Sequence, residues 1–393
     1  MSQQLINHSP DLKKLRDEGY EIEIKGGYLL VHHIPYLNKG TEIKYGTLVS
    51  ELTLSNNTLT SRPNTHVIHF IGEYPCNKDG SIIAAIQHNS RDQKLNEGII
   101  VNHSFSNKPQ TGYPNYYAKV TRYAEIISAP AKSVDSTVTE KTFKIIPDND
   151  SYSVFNYFDT NSSRANINTI NSKFNNQKIA IIGLGGTGAY ILDLVAKTPV
   201  LEIHLFDGDD FLQHNAFRSP GAASNSQLEA KQKKVTYYEE IYSKIHKGIK
   251  PHDYFLSETN IDELNTMNHV FICVDKNSVR RIIINHLISK GISFIDVGLG
   301  VNTVDDVLIG TVRLTIGTSE KNDHLFNRIS SVDNDNDNEY STNIQIADLN
   351  ALNATLAVIK WKKLNGFYQD LEKEHHSTYS INVAQLINED VTT

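Results

Sequence analysis

The chain of 393 residues has very little cysteine: Cys76 and Cys273 are its only two. That excludes a disulfide framework, and it excludes a four-cysteine zinc site built from this chain alone. Positive charge is not in excess. The formal net charge is −7, which argues against a broad nucleic-acid footprint. No apolar run approaches the length of a membrane span. The opening "MSQQLINHSPDLKKLRDEGYEIEIKGGYLLVHHIPY" lacks the basic-then-apolar layout of a secretory signal. The expectation is a cytoplasmic protein whose partners are neither nucleic acid nor membrane. What is present, 39% hydrophobic and 21% charged residues, is ordinary for packed domains, and the length favours two of them.

The first of these is expected over residues 1–157. Short β-like runs ("YEIEIKGGYLLVHHI", "THVIHFIGEYP", "SIIAAIQHNS", "EGIIVNHSF") are broken by Gly, Pro and Asn, an α+β pattern. A helix is predicted in "YPNYYAKVTRYAEIISAP", opened by Pro114 and stopped before Pro130, with a further strand in "SVDSTVTEKTFKIIPDNDSYS". The module holds His32, His33, His66, His69, His88 and His103, but no zinc template fits their spacing. Residues 158–393 read differently. From Lys178, strand and helix alternate: "KIAIIGLG", "GAYILDLVAKT", "LEIHLFDGDD", "SQLEAKQKKVTYYEEIYSKIH", "HVFICVD", "SVRRIIINHLISKG", "SFIDVGLGV", "VLIGTVRLTI". That order predicts a doubly wound, Rossmann-like, mostly parallel sheet with its ligand at the carboxyl ends of the strands.

Gly183, Gly185, Gly186 and Gly188 form G-x-G-G-x-G between a buried strand and a helix. Such a turn brings backbone close to phosphate and aims a helix N-terminus at it. Asp207 ends the next strand, where a carboxylate grips a ribose hydroxyl. To that point an NAD site fits equally well. The run "FDGDDFLQHNAFRSPG" then places Asn215 and Arg218 past the strand end, and Lys231 follows. Converging Asn, Arg and Lys suit a triphosphate tail, where they spread the charge that builds as pyrophosphate leaves. Asp275, at the tip of "ICVD", is placed to bind a Mg²⁺ that bridges phosphates. A nicotinamide-dependent oxidoreductase leaves Asn215, Arg218, Lys231 and Asp275 without a task; a non-catalytic nucleotide-binding scaffold is the other alternative.

This order of motifs, with Arg280 behind "CVD", resembles the ThiF-type fold. That is the adenylating domain of ubiquitin-activating enzymes and of their bacterial relatives in thiamin and molybdopterin synthesis. The resemblance covers roughly residues 161–367, and includes the late helix "NIQIADLNALNATLAVIKWKKLNGF". It implies ATP and Mg²⁺ as cofactors and adenylation of a carboxylate on a ubiquitin-like or small carrier protein. It implies Asp207 on the ribose, Asn215, Arg218 and Lys231 on the phosphates, and Asp275 on the metal. Arg164, in "NSSRANI", resembles the arginine that dimeric members lend to the partner's ATP site, so a homodimer is expected. "HVIHFIGEYPC", "HSFSNKP" and "YPNYYAKVTRYAEIISAPA" resemble the amino-terminal module of bacterial two-part proteins found with conjugating-enzyme-like partners. The sequence departs from full ubiquitin-activating enzymes in having no cysteine after Asp275. Cys273 reads as core. Cys76, in the turn "GEYPCNKDG", is the candidate acyl acceptor if it is exposed. "DNDNDNE", residues 333–339, lacks the glycine and glutamate of a calcium loop and reads as an acidic loop.

Overall fold

The computed structural model describes residues 2–56, 59–147, 153–329 and 344–392. The acidic run 333–339 lies outside the described residues. The chain forms two compact units, Met1–Ile146 and Pro147–Thr393. Residues on either side of position 155 belong to the second: Lys247 N–H donates to Val154 O and Asn156 N–H to Ile245 O.

In the first unit, α1 (Ser2–His8) and α2 (Pro10–Asp17) precede β1 (Glu21–Lys25) and β2 (Tyr28–Leu37). The two strands turn on Gly26 and Gly27, both at positive φ, as a two-residue hairpin requires. Then come β3 (Ile43–Glu51), the small hairpin β4 (Leu54–Asn56) and β5 (Leu59–Thr60), β6 (Val67–Ile71), β7 (Gln87–Lys94) and β8 (Ile100–Ser106). They form an antiparallel sheet in the order β1-β2-β3-β6-β8-β7, with β4 and β5 apart. The helix α3 (Tyr116–Val134) starts one residue after Asn115, whose side chain accepts from Ala118 N–H. Tyr116, Val120, Tyr123, Ala124 and Ile127 make its buried stripe. It does not stop before Pro130. Proline there lacks one N–H in the final turn, while burial of Ala131 and the Asp135 N–H bond to Ala131 O keep that turn helical. Nor do the described residues of 133–153 form the expected strand; they give bridges such as Tyr20 with Lys141.

The second unit opens with α4 (Thr160–Arg164) and α5 (Asn168–Asn171), then β9 (Lys178–Ile182), α6 (Gly186–Val195), β10 (Glu202–Phe206) and α7 (Gln213–Ala216). The polar loop and helix read across residues 226–246 form two helices, α8 (Asn225–Glu229) and α9 (Lys234–Tyr242), separated at Lys231, where φ is 45°. There follow β11 (Ile249–His252), β12 (His269–Ile272), α10 (Asn277–Lys290), β13 (Ser293–Val304), β14 (Val307–Gly317), α11 (Leu325–Arg328), α12 (Ala347–Leu364), β15 (His376–Ser380) and β16 (Gln385–Glu389). The sheet order is β11-β10-β9-β12-β13-β14-β15-β16. The first five strands pair parallel and the last three add antiparallel. Strands β9, β10 and β11 wind one way and β12, β13 the other, so the order reverses between β9 and β12. One face of the sheet is covered by α6 and α12, with Ile181, Leu192, Phe271, Ala357 and Trp361 in its core. The other packs Ile182, Ile272, Ile284 and Leu287. No helix among the described residues is long and apolar enough to cross a membrane.

Two histidines of this unit are buried in the neutral form. His246 Nδ1 accepts from Gly248 N–H, so its Nε2–H donates to Val200 O. Burial lowers its pKa from 6.5 to about 4, and that of His269 to about 3. A folded pKa below the unfolded one means that this stability is complete above pH 6.5 and is lost as pH falls toward 4. Each histidine then costs about 1.4 kcal/mol per pH unit. Thermal melts of the second unit at pH 7.5 and 5.5 should therefore differ by several degrees, lower in acid; identical melts would refute the assignment.

Candidate active site

The glycine loop sits where the strand order reverses. Gly183 follows β9 at φ 89°, and a Cβ there would lie 2.7 Å from Cys273 O at the end of β12. At Gly188 a Cβ would lie 1.9 Å from Gly183 O, so α6 seats directly on the strand end only because that position has no side chain. Gly186 is filled in by Asn350 of α12. Gly185 is different: the nearest atom to a Cβ there is Gln345 Oε1 at 3.9 Å, so its surface is open. The first amides of α6 thus face space rather than protein, the arrangement that receives an anion.

That space is a cavity of ≈ 860 Å³. Gly185, Gly186 and Thr187 bound it on one side, and Asp275 and Asn277, after β12, on another. Its far wall is made by β13, β14 and β15. Asp275 is exposed at the cavity edge.

Beside the loop lies a second polar group. Asp207, at the end of β10, is buried; its carboxylate accepts from Leu184 N–H at 2.7 Å and from Asp209 N–H at 2.9 Å. The lysine against it is Lys234, the first residue of α9, with Nζ 3.4 Å from Asp207 Oδ2 and 2.7 Å from Asp209 Oδ2. Asn215 is buried, and its Oδ1 is taken by Leu212 N–H. Its Nδ2, and Nε of Arg218, are buried with no hydrogen-bond partner among the described residues. Burial lowers the Arg218 pKa, with Tyr238, Asp275 and Asp209 opposing the shift. Burial and then the nearby Arg218 and Lys234 cations lower that of His214. Asn350 ties the group to the loop: its Nδ2 donates to Arg218 O and its Oδ1 accepts from Thr187 Oγ1. Two unpaired donors beside a buried lysine and an open helix N-terminus fit a polyphosphate, since each buried donor left unpaired carries a desolvation cost that an anion removes.

The structure therefore gathers Gly183, Gly185, Gly186, Gly188, Asp207, Asn215, Arg218 and Asp275 about one strand-end region. It does not bring Lys231 there. That side chain is exposed, because the positive φ ends the helical phase three residues before Lys234. Sequence reasoning missed Lys234 for lack of any signal separating the lysines of "KQKKV"; the onset of the apolar stripe at Val235 is the only hint. Arg164 ends α4, exposed and outside the cavity lining. Cys76 is not exposed. It is 1% accessible, its Sγ donates to Tyr74 O, and burial raises its pKa, because the turn folds inward to bridge Leu37 and Ile82. A buried, protonated thiol is a poor acyl acceptor. Cys273 lies past the end of β12, half-buried at the cavity edge, with its pKa raised by burial and by Asp296. Asp296 and Arg313, which line or underlie the same cavity, were not singled out from the sequence either.

Residues 163–360 match the ThiF family, and residues 10–160 match a domain of unknown function, DUF6791. No curated protein matches the chain significantly. Among solved structures it is similar to PaaA, at 16% identity over 57% of this chain and 76% of that one, TM-score 0.45. It is similar to Escherichia coli MccB, crystallised with ATP, at 18% identity over 70% and 82%, TM-score 0.43. It is similar also to the E. coli tRNA N6-threonylcarbamoyladenosine dehydratase TcdA, at 17% identity over 52% and 92%, TM-score 0.39. The ThiF match by itself spans just over half of the 393 residues, and the chain belongs to the ThiF family of ubiquitin-activating-enzyme-like, ATP-using adenylating domains.

Proposed function

We propose that the second unit adenylates the C-terminal carboxylate of a ubiquitin-like or small carrier protein in the cytoplasm, and that the first unit recruits that protein or a conjugating-enzyme-like partner. The carboxylate oxygen attacks the α-phosphorus of ATP; an acyl-phosphate bond forms, the bond from the α-phosphorus to the bridging oxygen breaks, and pyrophosphate leaves. No protein nucleophile takes part. The chain's contribution is position and charge. The open loop at Gly185 and the amides of α6 receive phosphate oxygens. Asn215, Arg218 and Lys234 stabilise the charge that moves onto the leaving pyrophosphate, and Asp207 holds the loop and lies toward the ribose. Asp275 would hold a Mg²⁺, which supplies charge neutralisation between phosphates when bound. Arg164, exposed at the end of α4, is available to a second copy in a homodimer. The observation that carries this reading is the pair of buried, unpartnered donors, Asn215 Nδ2 and Arg218 Nε, next to the open glycine loop.

Calorimetric titration with ATP·Mg²⁺ and with NAD⁺ tests it. ATP should bind and NAD⁺ should not. Arg218→Ala should weaken ATP by about ten- to a hundredfold, the value of a lost charge-assisted bond. Asp275→Asn should weaken ATP only when Mg²⁺ is present. Preferential NAD⁺ binding, with both substitutions silent, would overturn the proposal.

A further inference from the structure

A line of titratable side chains crosses the outer strands of the second unit's sheet, outside the cavity lining. Glu202 and His204 alternate with Phe206 along one face of β10, and parallel pairing sets His252 of β11 beside Phe206 on that face. The His252 ring stacks on Phe206 at 4.2 Å. Glu202 Oε2 lies 3.2 Å from His204 Nε2, and His204 Nδ1 lies 3.0 Å from His252 Nε2. His252 Nδ1 lies 2.9 Å from the Tyr254 hydroxyl, which donates to Glu263 Oε2 at 2.6 Å. Glu263 belongs to the 3₁₀ turn Ile261–Thr266, so the line ties residues 253–263 to the sheet edge.

Each of the four contacts from Glu202 to Glu263 needs one hydrogen. The carboxylates at the two ends supply none. Neutral His204, His252 and Tyr254 supply one each. One contact therefore sets lone pair against lone pair unless the line holds one further proton. The imidazoles of His204 and His252 are only 16% and 19% exposed, so water is poorly placed to relieve that clash. The surroundings suit one added proton and not two. Burial and then His204 lower the His252 pKa, with Glu263 opposing, so a second imidazolium is resisted. Lys178, 2.8 Å away, and then His204 hold Glu202 below the usual carboxylate range against the effect of burial. Burial and Glu263 raise the Tyr254 pKa to about 12, so its hydroxyl keeps its hydrogen. The other charged groups nearby are engaged or exposed. Lys250, opposite His204 on β11, and Asp253 face solvent, and Lys233 pairs with Asp210. On α10, His286, with Lys290 beside it, faces Asn265 and Asp262. The line also reaches the nucleotide side of the sheet. Asp207 N–H donates to His252 O at 3.2 Å. The ring of Phe255, directly after Tyr254, lies 2.8 Å from where a Cβ at Gly208 would stand.

We infer that this line is a one-proton clamp: with the added proton it fastens residues 253–263 beside Asp207 and Gly208, and loss of that proton opens one contact and slackens the segment. An imidazole pair places the change between about pH 5 and 8. The clamp is complete in acid and incomplete in base, opposite in sign to the effect of His246 and His269. Its geometry is independent of the adenylation reading; only its effect on the nucleotide rests on that reading.

Glu263→Gln is the deciding variant, because an amide donates where a carboxylate cannot. The new amide donates to Tyr254, Tyr254 to His252 Nδ1, His252 Nε2–H to His204 Nδ1, and His204 Nε2–H to Glu202. All contacts are then filled with both imidazoles neutral. Glu202→Gln supplies the missing hydrogen from the other end. Hydrogen–deuterium exchange of the full chain, read by mass spectrometry over residues 253–263 and corrected for the intrinsic rate, measures the clamp. From about pH 6 to about pH 8.5 wild-type protection should fall about tenfold, the scale of one hydrogen bond. Both Gln variants should stay protected and flat, and Tyr254→Phe should be open throughout, with thermal melts showing all three folded. Comparison with the Gln variants removes the effects of His246 and His269, which every variant carries. No pH dependence in the wild type, or the same dependence in both Gln variants, would overturn the clamp. The ratio of wild-type to Glu263→Gln affinity for ATP·Mg²⁺ should fall about threefold or more as pH rises, part of the loss of one hydrogen bond. A constant ratio would overturn the link to the nucleotide. A pH-dependent protection abolished by Glu263→Gln in a protein that binds no ATP would sink the adenylation reading and leave the clamp standing.

Discussion

Lys234→Ala should remove measurable ATP binding and destabilise the second unit by about 3 kcal/mol, the cost of stripping a partner from a buried charge. Lys231→Ala should change ATP affinity by less than about twofold and the melting temperature hardly at all, as expected of an exposed lysine. The contrast follows from placement. Lys234 is buried with Nζ between Asp207 and Asp209, so its loss leaves the Asp207 carboxylate held by backbone N–H groups alone. One of those N–H groups belongs to Leu184 in the glycine loop, so a disturbed Asp207 also disturbs the phosphate cradle. Calorimetry with ATP·Mg²⁺ and denaturant unfolding of both variants decide it. If Lys231→Ala were the damaging change, the active-site assignment of Lys234 would fall.

Asp296→Ala should cost about 3–5 kcal/mol, because it leaves two guanidiniums facing each other without the carboxylate they share. Asp296 is fully buried, and Arg280 and Arg313 both approach within hydrogen-bonding distance. Adding Arg313→Met to Asp296→Ala should recover part of that loss, since one uncompensated cation is then gone. Urea unfolding of the single and double variants measures both quantities. A near-neutral Asp296→Ala would mean that the cluster is solvated.

The parallel sheet was legible because β9 and β12 are short apolar runs buried on both faces, a pattern with few other solutions. β11 was not, since "IKPH" is four residues with Pro251 and no apolar alternation. The direction of β14 was likewise unreadable: "VLIGTVRLTI" serves either sense, and only the two-residue turn at Asp305 and Asp306 makes it antiparallel to β13. Pro130 misled because a proline in a last turn loses a single bond. At the site, residues adjacent in sequence to a glycine loop or a strand end were easy to place. Lys234 and Arg313 were not, because the first depends on a backbone kink at Lys231 and the second on strand register. Cys76 shows the same limit from the other side: "YPCNKDG" has the composition of an exposed turn, yet its bridges turn the thiol inward.

The reversal of strand direction after β13 has a consequence for how such a protein can change. The glycine loop, Asp207, Asn215, Arg218 and Asp275 hang from the parallel strands and the segments between them, where a single Cβ at Gly188 would collide with backbone. The cavity's far wall is built largely by β14 and β15, which join that frame within the sheet through β13. The cavity-facing residues of those two strands, Thr311, Arg313 and Thr378, can be exchanged without a change in the loop, so the wall can vary while the glycine turn stays as it is.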